Sequence, residues 1–234
     1  MALPTIEQPI FEMKIPSTGK NVKFRPFLVR EEKILLIAQQ GGNDKDVIRA
    51  IKQILSACLI DNIDVDQLAT FDLEYMFLKL RARSVNNIVK LAYRDTEDDK
   101  VYDFEIDLDQ IEIEVKPINN KIKVNDEIGI IMKYPAASIT DELGEYDNEV
   151  DLLLFFVRKC IDQIFDSENV YPANESTEEE INQFIDSLNV QTFEKIREFF
   201  DSIPTLSHTL KYTNSNDNER VIELNNLKDF FMWR

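Results

Sequence analysis

Residues 44–60 read DKDVIRAIKQILSACLI, and residues 150–161 read VDLLLFFVRKCI. In the first stretch Val47, Ile51, Ile54, Leu55, Cys58 and Leu59 recur at helical spacing; in the second, Val150, Leu153, Leu154, Val157, Cys160 and Ile161 do the same. Apolar residues three and four apart share one helix face, so each stretch predicts an amphipathic helix with a cysteine near its end. The parallel continues downstream, where Leu73, Met76 and Leu80 are answered by Phe193, Ile196 and Phe200. An alternating hairpin follows each time: Leu91 and Tyr93 with Tyr102 and Phe104, then Leu210 and Tyr212 with Ile222 and Leu224. The order helix, loop, helix, hairpin is thus written twice. It predicts an α+β fold, an internally duplicated unit of amphipathic helices followed by a β-hairpin, with the hairpins packed on the helices.

The remaining segments extend this pattern. Phe11, Met13 and Ile15 alternate, Pro16-Ser17-Thr18-Gly19 turns, and Val22 and Phe24 alternate back before Pro26. Ile34, Leu35 and Ala38 predict a helix over 30–40 that Gly41-Gly42 stops, and Asp44 is the expected N-cap of the next helix. Further helices are expected over 71–82 and 181–188, the latter opened by a Thr177-x-x-Glu180 capping box. Ile111, Ile113 and Val115 read as a strand, and Ile122 and Val124 alternate after the turn residues Pro117 and Asn119-Asn120. Two repeats are expected, 1–115 and 116–234, the second carrying an exposed acidic loop over 166–180. A shared interior is expected because hairpins alone bury too little apolar surface to stand separately.

Composition narrows the function classes. With 27 basic and 44 acidic side chains the formal charge is −17, a field that repels phosphate backbones and anionic membrane surfaces. Most of that acidity is a solvated face that maintains solubility. No apolar run approaches the ~20 residues that span a bilayer, and no signal peptide is expected at the N-terminus. Two cysteines on buried helix faces suit a reducing compartment, which disfavours a Cys58–Cys160 disulfide.

Catalytic apparatus is missing from the sequence. His208 is the lone histidine and lies in an alternating strand, away from any nucleophile motif. The two cysteines and one histidine cannot furnish the four ligands of a structural zinc site. Gly19, Gly41, Gly42, Gly129 and Gly144 form no phosphate loop or dinucleotide fingerprint. Asp95, Glu97 and Asp99 have the odd spacing of a calcium loop, yet Lys100 replaces its glycine and Ile106 its bidentate glutamate. That acidic tip therefore reads as a solvated turn. The expectation is a non-enzyme with no cofactor and no metal.

Binding candidates lie near the ends. Phe230, Phe231, Met232 and Trp233 form an aromatic C-terminus that packs on its own core or enters a partner's pocket. Lys20, Lys23, Arg25 and Arg30 make the most basic segment of an acidic chain, suited to an acidic neighbour.

The run Lys14-Ile15-Pro16-Ser17-Thr18-Gly19-Lys20, continued by Val22-Lys23-Phe24-Arg25-Pro26-Phe27-Leu28-Val29-Arg30-Glu31-Glu32-Lys33, resembles the baseplate hub subunit family of T-even-type contractile-tailed phages. The ending Leu227-Lys228-Asp229-Phe230-Phe231 extends the resemblance. It implies a protein that builds the central hub of the tail baseplate by binding other hub proteins, found in host cytoplasm during assembly and in the virion if retained. Some members carry Cys-x-x-Cys pairs at the two hairpin tips, like a zinc ribbon. The tips here, Arg94–Lys100 and Thr213–Arg220, hold no cysteine, so the ribbon is degenerate and zinc is not carried over. Rival readings are an acidic assembly chaperone absent from the mature virion, a nucleic-acid-binding protein on degenerate ribbons, and a carboxylate-dependent metal enzyme.

Overall fold

The computed structural model describes residues 6–41, 43–144, 146 and 148–231. It is a mixed α+β protein with small antiparallel sheets. The chain divides into two compact units, Met1–Val115 with Pro204–Arg234, and Lys116–Ile203. One boundary between the units falls at residues 115 and 116, and residues 204–234 belong with the first unit.

The first unit opens with an antiparallel hairpin, β1 (Phe11–Lys14) and β2 (Asn21–Phe24), in the register Phe11↔Phe24 and Met13↔Val22. Period-two alternation buries Met13, Ile15, Val22 and Phe24 on one face. Gly19 sits at φ +70°, a backbone region that favours glycine, and closes the turn. Helices α1 (Val29–Gly41) and α2 (Asp44–Cys58) follow. The N-cap of α2 is Asn43, not Asp44: Asn43 has the extended backbone a cap requires, and its side chain accepts from the Lys45 N–H. Helix α3 (Thr70–Ser84) is buried on most of its sides, with Phe71, Leu73, Met76, Phe77, Leu78 and Leu80 all in the core. Its Asp72 is also fully buried, and it accepts from the N–H and hydroxyl of Ser17, fastening the first turn to α3.

Strands β3 (Ile88–Arg94) and β4 (Val101–Asp107) form the next hairpin. The strand expected at Ile111, Ile113 and Val115 is not formed among the described residues. Ile111 is buried in the core, but the segment has no strand beside it, so alternation alone does not make a ladder.

The second unit holds β5 (Lys121–Lys123), β6 (Gly129–Met132), α4 (Ile139–Glu142), α5 (Glu149–Cys160), β7 (Ile161–Phe165), β8 (Val170–Pro172), α6 (Glu178–Asp186) and α7 (Val190–Asp201). Its four-stranded antiparallel sheet has the order β5-β6-β7-β8. Side chains from the sheet and from α5, α6 and α7 share one core, which includes Ile130, Phe155, Val157, Cys160, Ile181 and Ile196. Thr177 and Glu180 form the expected capping box. The segment 166–180 is more than an exposed loop: Asp166 N–H donates to Asn169 O at 3.0 Å, turning the chain so that β8 pairs with β7.

The chain then adds β9 (His208–Thr213), β10 (Glu219–Leu224) and α8 (Leu227–Phe231) to the first unit. His208 is a half-buried strand residue opposite Leu224. One junction recurs in both units. Arg25 N–H donates to Cys58 O at 3.0 Å, and Lys133 N–H donates to Cys160 O at 2.7 Å. Both cysteines are free and buried, and burial pushes their thiols up, Cys58 to about 11 and Cys160 to about 12. Among the described residues no helix is long and apolar enough to cross a membrane.

Candidate functional site

In the first unit the tips of the hairpins β3–β4 and β9–β10 close on each other. Each tip is built alike. Asp95 N–H donates to Lys100 O (2.9 Å) in one, and Asn214 N–H donates to Asn218 O (3.0 Å) in the other. Asp99 and Asp217 adopt left-handed backbone angles, φ 57° and 62°, which short polar side chains tolerate better than most.

The contact between the tips is a network of carboxylates and donors. Asp95 is fully buried. It accepts from Tyr212 Oη (2.6 Å) and from the Glu97 N–H (2.7 Å), and Arg220 Nε lies 3.3 Å away. Glu97 accepts from Asn214 Nδ2 at 3.0 Å and Arg220 Nη1 at 3.2 Å, and also from Asn218 Nδ2. Asp98 accepts from Tyr102 Oη (2.6 Å), Ser215 N–H (3.0 Å) and Ser215 Oγ (2.7 Å). The Tyr212 bond holds Asp95 below the usual carboxylate range. Desolvation would raise Asp98, but the Tyr102, Lys100 and Ser215 donors outweigh it and hold its carboxyl far below that range. Beneath this layer the Tyr212 ring lies 4.8 Å from Tyr102, 5.3 Å from Phe104 and 6.4 Å from Tyr93. Burial, reinforced by Asp95, pushes its phenol up to about 12.

The acidic tip is therefore not a solvated turn. The Asp95, Glu97 and Asp98 carboxylates are acceptors in a clasp, engaged by donors of the same unit. Among the described residues no group of three or more His, Cys, Asp or Glu side chains is arranged to hold a metal ion. Tyr93, Tyr102 and Tyr212 meet here and join hairpin to hairpin.

The binding candidates fall into distinct places. Lys20, Lys23 and Arg30 are exposed. Arg25 turns inward, donating to Glu31 Oε1 (2.8 Å), Ala57 O (2.9 Å) and Pro26 O (2.9 Å). Burial would raise the Glu31 pKa, but donors from Arg25, Arg30 and the Leu28 N–H hold it at about 2. Phe230 is fully buried and belongs to the core. Met232 and Trp233, and the side chain of Phe231, lie outside the described residues. Sequence reasoning missed Asn214, Ser215 and Arg220, and read Asp95 as part of a solvated turn. Their signal was the matched Asp95-x-x-Asp98 and Asn214-x-x-Asp217 spacing at the two tips. It also missed Val29, Leu36 and Ile37 of α1, which are 66%, 51% and 70% exposed and give that helix an uncovered apolar side.

A model of the family described as T4 bacteriophage base plate protein matches residues 8–232. No curated protein and no solved structure matches the chain.

Proposed function

Because the chain belongs to the T4 bacteriophage base plate protein family, we propose that it serves the central hub of the tail baseplate, as a non-enzymatic subunit or assembly factor that binds other hub proteins. The family match across residues 8–232 carries this reading as far as the baseplate. The hub role rests on the resemblance of residues 14–33. Two features of the structure support a binding role: the tip carboxylates are spent on internal hydrogen bonds, and α1 leaves Val29, Leu36 and Ile37 for a partner to cover. We place the chain in host cytoplasm during assembly and in the tail baseplate where it is retained. Quantitative mass spectrometry of purified particles and of infected-cell lysate tests this. A fixed copy number in particles identifies a subunit; a lysate complex with hub proteins that is lost from particles identifies an assembly factor. A chain found in neither contradicts the proposal.

A further inference from the structure

The four-stranded sheet of the second unit has two edges. One is β8, where Pro172 has no N–H to offer a further strand. The other is β5. There Met132 N–H donates to Asn120 O (2.8 Å) and Val124 N–H donates to Ile128 O (3.0 Å), with Ile122 opposite Ile130 between them. Antiparallel bonds alternate along a strand, so the N–H and C=O groups of Lys121 and Lys123 point away from β6. The position of Lys195 on α7 agrees, since its Nζ approaches Lys123 O at 3.4 Å.

Beside this edge lies a recess of about 370 Å³, lined by Lys121, Lys123, Lys195, Glu198, Phe199 and Ser202 among others. In a chain of charge −17, Lys121 and Lys123 place two ammonium groups on the sheet face opposite the buried Ile122, and Lys195 brings a third to the edge from α7. Their present partners hold them loosely. Lys123 pairs at 2.7 Å with Asp126, whose side chain is 97% exposed, and such pairs contribute little. Lys195 makes a long contact to Lys123 O, and Lys121 rests its ammonium 4.8 Å from the centre of the Phe165 ring.

We infer that the β5 edge and its recess dock an extended acidic segment of a partner baseplate protein, which adds a strand beside β5 and sets its carboxylates against Lys121, Lys123 and Lys195. This rests on the reading of the chain as a binding component. Strand addition supplies backbone hydrogen bonds that are independent of sequence, and side chains opposite on one face supply the choice of partner. Lysine on an edge strand also repels a second copy of the same edge. The lysines that block self-pairing therefore select an oppositely charged strand. A long nucleic acid would meet the negative field of the whole chain beyond the recess.

The test titrates the purified full-length chain with a fluorescent peptide alternating Glu and Val. Comparison ligands are a Lys-Val peptide, a proline-interrupted Glu-Val peptide and a single-stranded oligonucleotide. The uninterrupted acidic peptide alone should bind, and Lys123→Glu combined with Lys195→Glu should weaken it at least tenfold with an unchanged melting curve. No binding of that peptide, equal binding of the Lys-Val or interrupted peptide, preferred binding of the oligonucleotide, or undiminished binding to the charge-reversed variant overturns the inference. Capture from co-expressed tail proteins separates it from the proposed function. Hub proteins held equally by wild type and variant overturn the edge site and leave the hub role standing. If the wild type captures none, the hub role fails and the peptide titration alone decides the edge.

Discussion

Tyr212 and Asp95 stand 117 residues apart in the chain, and their side chains meet at 2.6 Å. The bond ties the hairpin β9–β10 to the hairpin β3–β4 within the first unit. Removing the phenol hydroxyl leaves a buried carboxylate short of a donor, and such loss costs more than the bond itself contributes. Tyr212→Phe should lower the thermal unfolding midpoint by on the order of 5 °C. Asp95→Asn sets an amide NH2 against either the Glu97 N–H or the Tyr212 and Arg220 donors and removes the ion pair, so it should lower it more. Differential scanning calorimetry of the three proteins checks the order.

Glu31 predicts behaviour in acid. Folding lowers its pKa from 4.5 to about 2, so the folded chain binds this proton more weakly than the unfolded one. Its stabilisation is complete above the unfolded value and is lost as pH falls through the folded one. Glu31→Gln should be less stable than wild type at pH 7, and the difference should shrink between about pH 4.5 and pH 2. Urea unfolding at several pH values measures this.

Glu74 has the opposite sign. Burial, with Asp229 of α8 as a like-charged neighbour, pushes its carboxyl up from 4.5 to about 7. Here the folded chain holds the proton more tightly, so stability falls as pH rises from 4.5 through 7. Glu74→Gln should flatten that decline and raise the unfolding midpoint at pH 8 by a few degrees. A variant that melts with the wild-type pH profile contradicts the assignment.

Phe230 is a core residue at the end of the chain. Phe230→Ala should cost about 3–5 kcal/mol through lost burial and the cavity left behind, read by urea unfolding. Hydrogen exchange should show the loss concentrated at α8 and β3, which pack together.

The elements with clear periodicity were legible in the sequence: α2, α3, α5 and α7 from apolar residues three and four apart, and the hairpins from alternation. Local rules failed where a tertiary partner decides. Alternation at Ile111, Ile113 and Val115 was real, but a strand needs a neighbour and none was supplied. Asn43 and Asp44 are both good caps, and only the backbone angle separates them. The clasp was hidden for the same reason: Asp95 looks like a turn carboxylate until Tyr212 and Arg220 arrive from the other end of the chain. The lysines of β5 were visible as residues, but their role depends on which way the edge amides point.

Hub-protein binding is the proposed role of this baseplate-family chain. Affinity purification of the tagged chain, co-expressed with the phage's tail and hub proteins, tests it most directly. The expected result is a complex of fixed stoichiometry with at least one hub protein that survives size-exclusion chromatography. A chain that elutes alone under every such combination contradicts it.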